Sequence, residues 1–169
     1  ATTLVGYNNI YDGSNLQRRA HALVDAPSDS LTEWKNVSAD YGQISMFGEY
    51  IAEHWSPQVI SDTLKNKFAG FNSIAESLTV NGFKDTFLDI FRNWIIANLL
   101  NDSSADAKFA YSRADLLGFH VAPTQTILDL SDNTVSVTDV PIKDWQGRWY
   151  DFSQLSSGQN NILRIIFNS

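Results

Sequence analysis

Two stretches decide how this chain folds: ADYGQISMFGEYIAEHWSP, residues 39–57, and FKDTFLDIFRNWIIANLLND, residues 83–102. In the first, Tyr41, Ile44, Phe47, Gly48, Ile51 and Trp55 recur at the three- and four-residue spacing of an amphipathic helix. Asp40 stands where an N-cap is expected, and Ser56-Pro57 ends this helix and starts another, with Ser at N-cap and Pro at N1. In the second, Phe87, Ile90, Phe91, Trp94, Ile95 and Leu99 give a wide apolar face over about residues 84–100. Asn101-Asp102-Ser103-Ser104 closes it.

Working outward, Ser14 or Asn15 caps a helix to about Asp25 that shows Leu16, Ala20, Leu23 and Val24 on one face, with Pro27 as its stop. Leu31 and Trp34 anchor a short turn of helix. Val59, Ile60, Leu64 and Phe68 form the stripe of the helix that Pro57 opens. Gly70 and Gly82 bracket a further helix, with Phe71, Ile74, Ala75 and Leu78 as its buried residues. After about Gly118 the period changes to two. Residues 125–130, 134–142, 148–152 and 162–167 read as strands separated by turn material such as Ser131-Asp132-Asn133. Helices followed by strands predict an α+β fold, a mainly α-helical bundle and then a small antiparallel β segment. The expected division is a helical lobe over 1–120 and a β-strand segment over 121–169, belonging to a following β domain.

Composition narrows the function classes. At 169 residues with 43% hydrophobic and 12% aromatic side chains, the chain can bury roughly 70% of its unfolded surface. A net charge of −7 without runs of like charge leaves no basic footprint for nucleic acid and no polybasic segment for a membrane. No cysteine is present, so disulfides, thiolate metal sites and cysteine nucleophiles are excluded. The longest apolar run, Trp94 to Ala97, is too short to span a bilayer. The chain opens on Ala1 without a Met or a signal pattern, which reads as a piece of something longer.

Chemical motifs are sparse. His21, His54 and His120 are too far apart in sequence for an HExxH pair, in which two His one turn apart bind zinc. Glu53 and His54 adjoin, but helical neighbours point about 100° apart. No G-x-S-x-G elbow and no phosphate-binding Gly loop occur. Glu49 with Glu53, and Asp85 with Asp89, sit one turn apart and read as solvated faces. Phe91 and Trp94 read as core. Asn98, a carboxamide on a nearly all-apolar helix, needs partners and is expected to tie the helix end to a loop.

Taken in order, several landmarks resemble the helical lobe that follows the zinc-binding helix in thermolysin-like (gluzincin) metallopeptidases, in particular secreted bacterial peptidases of the hyicolysin type. They are the Asp40-Tyr41-Gly42-Gln43 helix opening, the Tyr50-Ile51-Ala52-Glu53-His54-Trp55 ending, and the Phe91-to-Asp102 stretch, similar to that family's F-x-x-W-x-x-A-N helix. Downstream, Asp144 to Phe152 (DWQGRWYDF) is similar to the strand that opens its β domain. The resemblance implies the C-terminal part of a secreted or cell-surface bacterial zinc metallopeptidase, with the HExxH helix and the third ligand lying upstream. It implies zinc for the full-length enzyme and no cofactor in this chain. The implied partners are the missing N-terminal zinc subdomain and a protein or peptide substrate, with neither nucleic acid nor membrane involved, and a monomer is expected. One catalytic residue transfers by resemblance to the related aminopeptidases. Tyr41, opening its helix, would donate its phenol to the tetrahedral oxyanion. Gly42-Gln43 departs from their Glu-Lys-Gly pattern. The alternative reading is a non-catalytic helical module that binds protein or glycan. Alone, the chain is expected to be inactive and to bind no zinc.

Overall fold

A computed structural model describes residues 11–127 and 141–152. Over these residues the fold is α+β and mainly helical. The helices are α1 (Asn15–Asp25), α2 (Ser38–His54), α3 (Pro57–Thr63), α4 (Gly70–Val80) and α5 (Phe87–Leu100). Two 3-10 turns, Ala107–Phe109 and Ala114–Leu116, precede the strands β1 (Gln125–Ile127) and β2 (Tyr150–Phe152).

The helix boundaries follow from local chemistry. Ser14 Oγ accepts from Gln17 N at 3.1 Å and opens α1. Ser56 Oγ accepts from Gln58 N at 3.0 Å, with Pro57 at the first helical position of α3. Thr86 and Asp89 exchange side-chain-to-backbone bonds at the start of α5, a capping box. Asn101 ends α5 in the left-handed region at φ 41, a conformation that Asn tolerates better than most side chains. Asp40 does not cap α2: the helix begins two residues earlier, and Asp40 lies at its third position. There its Oδ2 accepts from Val37 N at 2.8 Å and Lys35 N at 3.0 Å.

The core gathers around α2. Phe47 meets Trp94 of α5 edge-on at 5.0 Å between ring centroids. Tyr50, Met46, Ile51 and Trp55 are buried beside it. Such aromatic pairs add about 0.5–1.5 kcal/mol each beyond their buried area. Phe91 and Trp94 are core, as expected. Between α3 and α4 the packing is polar instead. Leu64 (79% exposed) and Phe68 (44%) stay outside, because α3 stops at Thr63 before the stripe can continue. Asn66 Nδ2 reaches Ser73 O and Ser77 Oγ, both at 3.0 Å, and Ser73 Oγ donates to Thr63 O. Likewise Val24 and Phe71 are exposed, and residues 28–34 form no helical turn.

β1 and β2 pair in parallel, Gln125 opposite Tyr150, which corrects the antiparallel expectation. The paired strands are not neighbours in sequence, and parallel strands need a crossover of a dozen or more residues. Residues 128–149 supply that length. The expected strand over 162–167, and nearly all of that over 134–142, lie outside the described residues. The segment 141–149 crosses the helices: Trp145 wedges between Phe87 (4.6 Å) and Phe91 (5.2 Å), and Trp149 Nε1 donates to Ile95 O at 3.0 Å.

Two glycines of α2 have opposite environments. A Cβ on Gly42 would stand 2.7 Å from Leu23 N and 2.9 Å from Ala22 C, both backbone atoms of α1. At Gly48 nothing lies within 4 Å. Gly42→Ala is therefore expected to destabilise by about 1–3 kcal/mol through overpacking. Gly48→Ala should stabilise by up to about 1 kcal/mol through helix propensity. Urea denaturation of the two variants measures both.

Candidate functional site

At the N-terminal end of α2 the preceding loop folds back on the helix. Ser30 Oγ donates to Asp144 O at 2.7 Å and accepts from Thr32 N and Glu33 N, so one hydroxyl ties this loop to the 141–149 segment. Asp40 is buried. Burial pushes its carboxyl up, but the amides of Val37 and Lys35, with the Asp29 side chain, outweigh that and hold it below the usual carboxylate range.

Tyr41 follows on the outer face. Trp34 meets its ring edge-on at 4.9 Å, and the Arg19 guanidinium lies over the ring at 4.6 Å. The hydroxyl donates to Asn36 Oδ1 at 2.9 Å. The residue is 37% exposed, so the ring is clamped while one edge faces solvent. Beside it, Ile44, Phe68, Phe71 and Leu31 line an open apolar groove of about 340 Å³.

The C-terminal end of α2 carries a second polar cluster, built on Glu49 and Glu53, whose spacing alone predicts a solvated face. Glu49 is buried and pairs with Arg113 Nη1 at 3.0 Å, while Arg113 also holds Asp115 at 2.5 Å. One turn on, Glu53 Oε2 accepts from Ser112 N at 2.6 Å and Ser112 Oγ at 3.0 Å. Burial pushes Glu53 above the ordinary carboxylate value, against the pull of the Ser112 bonds. His54 Nε2 lies 2.8 Å from Ala110 O. A carbonyl only accepts, so Nε2 carries the hydrogen, and burial pulls the imidazole below its ordinary value. Three side chains of one helix end thus grip residues 110–113.

Asp85 and Asp89 are not idle surface charges either. Asp85 takes Trp55 Nε1 at 3.0 Å and Lys108 Nζ at 2.8 Å, and the Lys108 and Trp55 bonds hold it below the usual carboxylate range. Asp89 is the capping-box acid. Asn98 plays the tying role expected of it. Its Oδ1 accepts from Tyr111 OH at 2.9 Å, that oxygen accepts from Trp94 Nε1 at 2.9 Å, and Asn98 O accepts from Val121 N.

Chemically, the C-terminal cluster is a fastening. Its groups are engaged with backbone and with one another, save Glu53 Oε1, which is buried without a hydrogen-bond partner. The signal for it was present in the sequence as two acids one turn apart, but an acid's partner fifty or more residues away leaves no periodic trace. His21 and His120 are exposed and remote from His54 in role. Among the described residues no group of three His, Asp or Glu side chains converges as a metal site would require. Tyr41 is the one sequence-derived site residue, and it sits at the opposite end of α2 from the acid cluster.

Arg113→Met should destabilise the chain on the order of 3 kcal/mol, because it leaves buried Glu49 short of its cation. Arg113→Lys should recover only part of that, since one ammonium cannot serve Glu49 and Asp115 as a planar guanidinium does. Denaturation midpoints of the two variants check the ranking.

Comparison with protein-family models, with curated proteins and with solved structures gives no match to this chain.

Proposed function

We propose that this chain is the zinc-free, C-terminal helical part of a secreted bacterial zinc metallopeptidase, hydrolysing peptide bonds only when joined to an N-terminal subdomain that carries the metal. On this reading the HExxH helix and the third zinc ligand lie in that other subdomain. What this chain contributes is a positioned donor. The observation that carries the reading is Tyr41: it stands in the first turn of α2, at its fourth position, its ring is clamped by Trp34 and Arg19, and its hydroxyl donates to exposed Asn36.

A phenol suits the task because it donates to developing negative charge while staying un-ionised at neutral pH. At rest the proton is engaged with Asn36 Oδ1, an exposed acceptor. Redirecting it to an oxyanion costs one solvent-accessible hydrogen bond, about 1 kcal/mol. Fixing the ring beforehand spares the ordering cost at the moment of reaction.

The second reading, a non-catalytic module that binds protein or glycan, has its own support in the apolar groove beside Tyr41, with Phe68, Phe71 and Ile44 each more than 40% exposed. The coding sequence immediately upstream of Ala1 separates the two. An HExxH helix followed by a Glu-bearing helix is expected, and its absence sinks the peptidase reading.

In the full-length protein, Tyr41→Phe should lower turnover about a hundredfold or more, roughly 3 kcal/mol of transition-state stabilisation, with KM little changed. Thermal stability should shift only slightly, because the ring keeps its packing. Turnover within a few-fold of the parent would show that the hydroxyl has no catalytic part.

A further inference from the structure

The C-terminal end of α2 grips the segment 108–113 through four side chains, and one atom of that grip is left over. Tyr50 OH donates to Lys108 O, His54 Nε2 donates to Ala110 O, and Glu49 pairs with Arg113. Glu53 Oε2 accepts from Ser112 N at 2.6 Å and from Ser112 Oγ at 3.0 Å. Glu53 Oε1, in contrast, is sealed from solvent and has no donor. A carboxylate spreads its charge over both oxygens and calls for donors at each, so a sealed, undonated oxygen is costly. A carboxylic acid asks less of the same site. Its carbonyl oxygen, Oε2, accepts both Ser112 bonds, and Oε1 carries the hydrogen.

We propose that Glu53 is a proton-operated catch: with a proton on Oε1 it holds residues 110–113 against α2, and on ionisation it loosens them. The charges around it favour the neutral form or are spent elsewhere. On its own helix, Glu49 stands one turn back, buried and of like sign. From the facing segment Arg113 supplies a cation, but divides it between Glu49 and Asp115. Lys108 is drawn off to Asp85 at 2.8 Å. His54 is held below its ordinary value and is neutral at pH 7, and burial pushes the Tyr50 and Tyr111 phenols up, so they stay neutral too. From α5, Trp94 and Asn98 reach Tyr111 and carry no charge. The balance agrees: burial pushes Glu53 up, Ser112 pulls it down, Glu49 adds to the rise and Arg113 opposes it, leaving it above the ordinary carboxylate value.

The proton comes from solvent and returns to it, and no other covalent bond changes. Ser112 is exposed, so the exchange begins where the catch meets water. The sign follows from linkage. The folded chain binds this proton more tightly than an unfolded glutamate, which titrates near about 4.3. The stabilisation is therefore complete below that pH and is lost as pH rises through the folded value. Loosening frees Ser112 first, because both of its bonds to α2 run to Glu53. The inference does not rest on the peptidase reading.

The test follows the whole chain by NMR and by melting. In the parent, the Glu53 carboxyl carbon should titrate above the range of exposed glutamates, with the Ser112 backbone amide moving through the same step. Ser112→Ala, which removes the hydroxyl donor and keeps the amide, should shift that step to higher pH. Glu53→Gln keeps a carbonyl oxygen for Ser112 and cannot ionise. Its melting temperature relative to the parent should rise by about 2–4 °C between about pH 4 and pH 7. His54 titrates in both chains and cancels from the difference. Asp25→Asn, which removes an exposed acid of α1, should show no such rise. Four results overturn the proposal. One is a Glu53 step at or below that of exposed glutamates, a reading that needs no variant to fold. Another is a Ser112 amide that ignores the step. A third is a Glu53→Gln melting difference that is constant across pH. The last is an equal rise in Asp25→Asn, which would make the effect one of net charge.

Discussion

The crossing of α1 and α2 at Gly42 is the constraint on which the rest of the structure depends. A single added methyl there would stand within 3.0 Å of three α1 atoms. This approach brings Leu16, Ala20 and Leu23 into the core and lets Gln43 reach the carbonyls of Ala26 and Pro27. It also aims the loop after α1 across the start of α2, where Asp40 collects the amides of Lys35 and Val37. A larger residue would separate the helices and leave those carbonyls without their donor, a cost comparable to a lost buried hydrogen bond.

With α1 on one side and α5 on the other, α2 is buried along much of its length, including Gln43 and Glu49. A helix in that position cannot be strongly amphipathic, and its polar chemistry is concentrated at its two ends. That placement has a physical cause. Helix ends carry backbone groups without intrahelical partners and are where other segments arrive. At the first end Asp40 collects loop amides. At the last, Glu49, Glu53 and His54 hold residues 110–113. The proposed donor, Tyr41, stands at the first end with its ring fixed by groups from α1 and from the loop, so the geometry of a candidate catalytic hydroxyl depends on the helix crossing as well.

The segment 141–149 closes the arrangement from outside. Trp145, at φ 53, is driven among Phe71, Phe87 and Phe91, and the interactions offset the strain of a left-handed conformation at a bulky residue. Trp149 docks on the carbonyl of Ile95. Gly147 lets the chain pass, because a Cβ there would stand 2.9 Å from the Trp149 ring. The two paired strands among the described residues are too few to stand alone and lean on this docking.

What the sequence determined by itself is what short-range physics writes into it. The α+β class, the caps at Ser14 and Ser56, the glycine-bracketed α4, and the core roles of Phe91 and Trp94 are all legible from spacing of four residues or fewer. Asn98 could be singled out because an amide on an apolar helix must find a partner, although the partner, Tyr111, could not be named. Pairings between residues far apart along the chain are settled only by the folded molecule. The parallel pairing of β1 with β2, the burial of Glu49 against Arg113, and the exposure of Leu64 and Phe68 leave no local period. Residue type and spacing set which helix forms and which face is apolar. Which acid is buried, and against what, depends on the crossing that Gly42 permits, and a glycine in a helical run does not announce in sequence whether it is there for contact, as Gly42 is, or for none, as at Gly48.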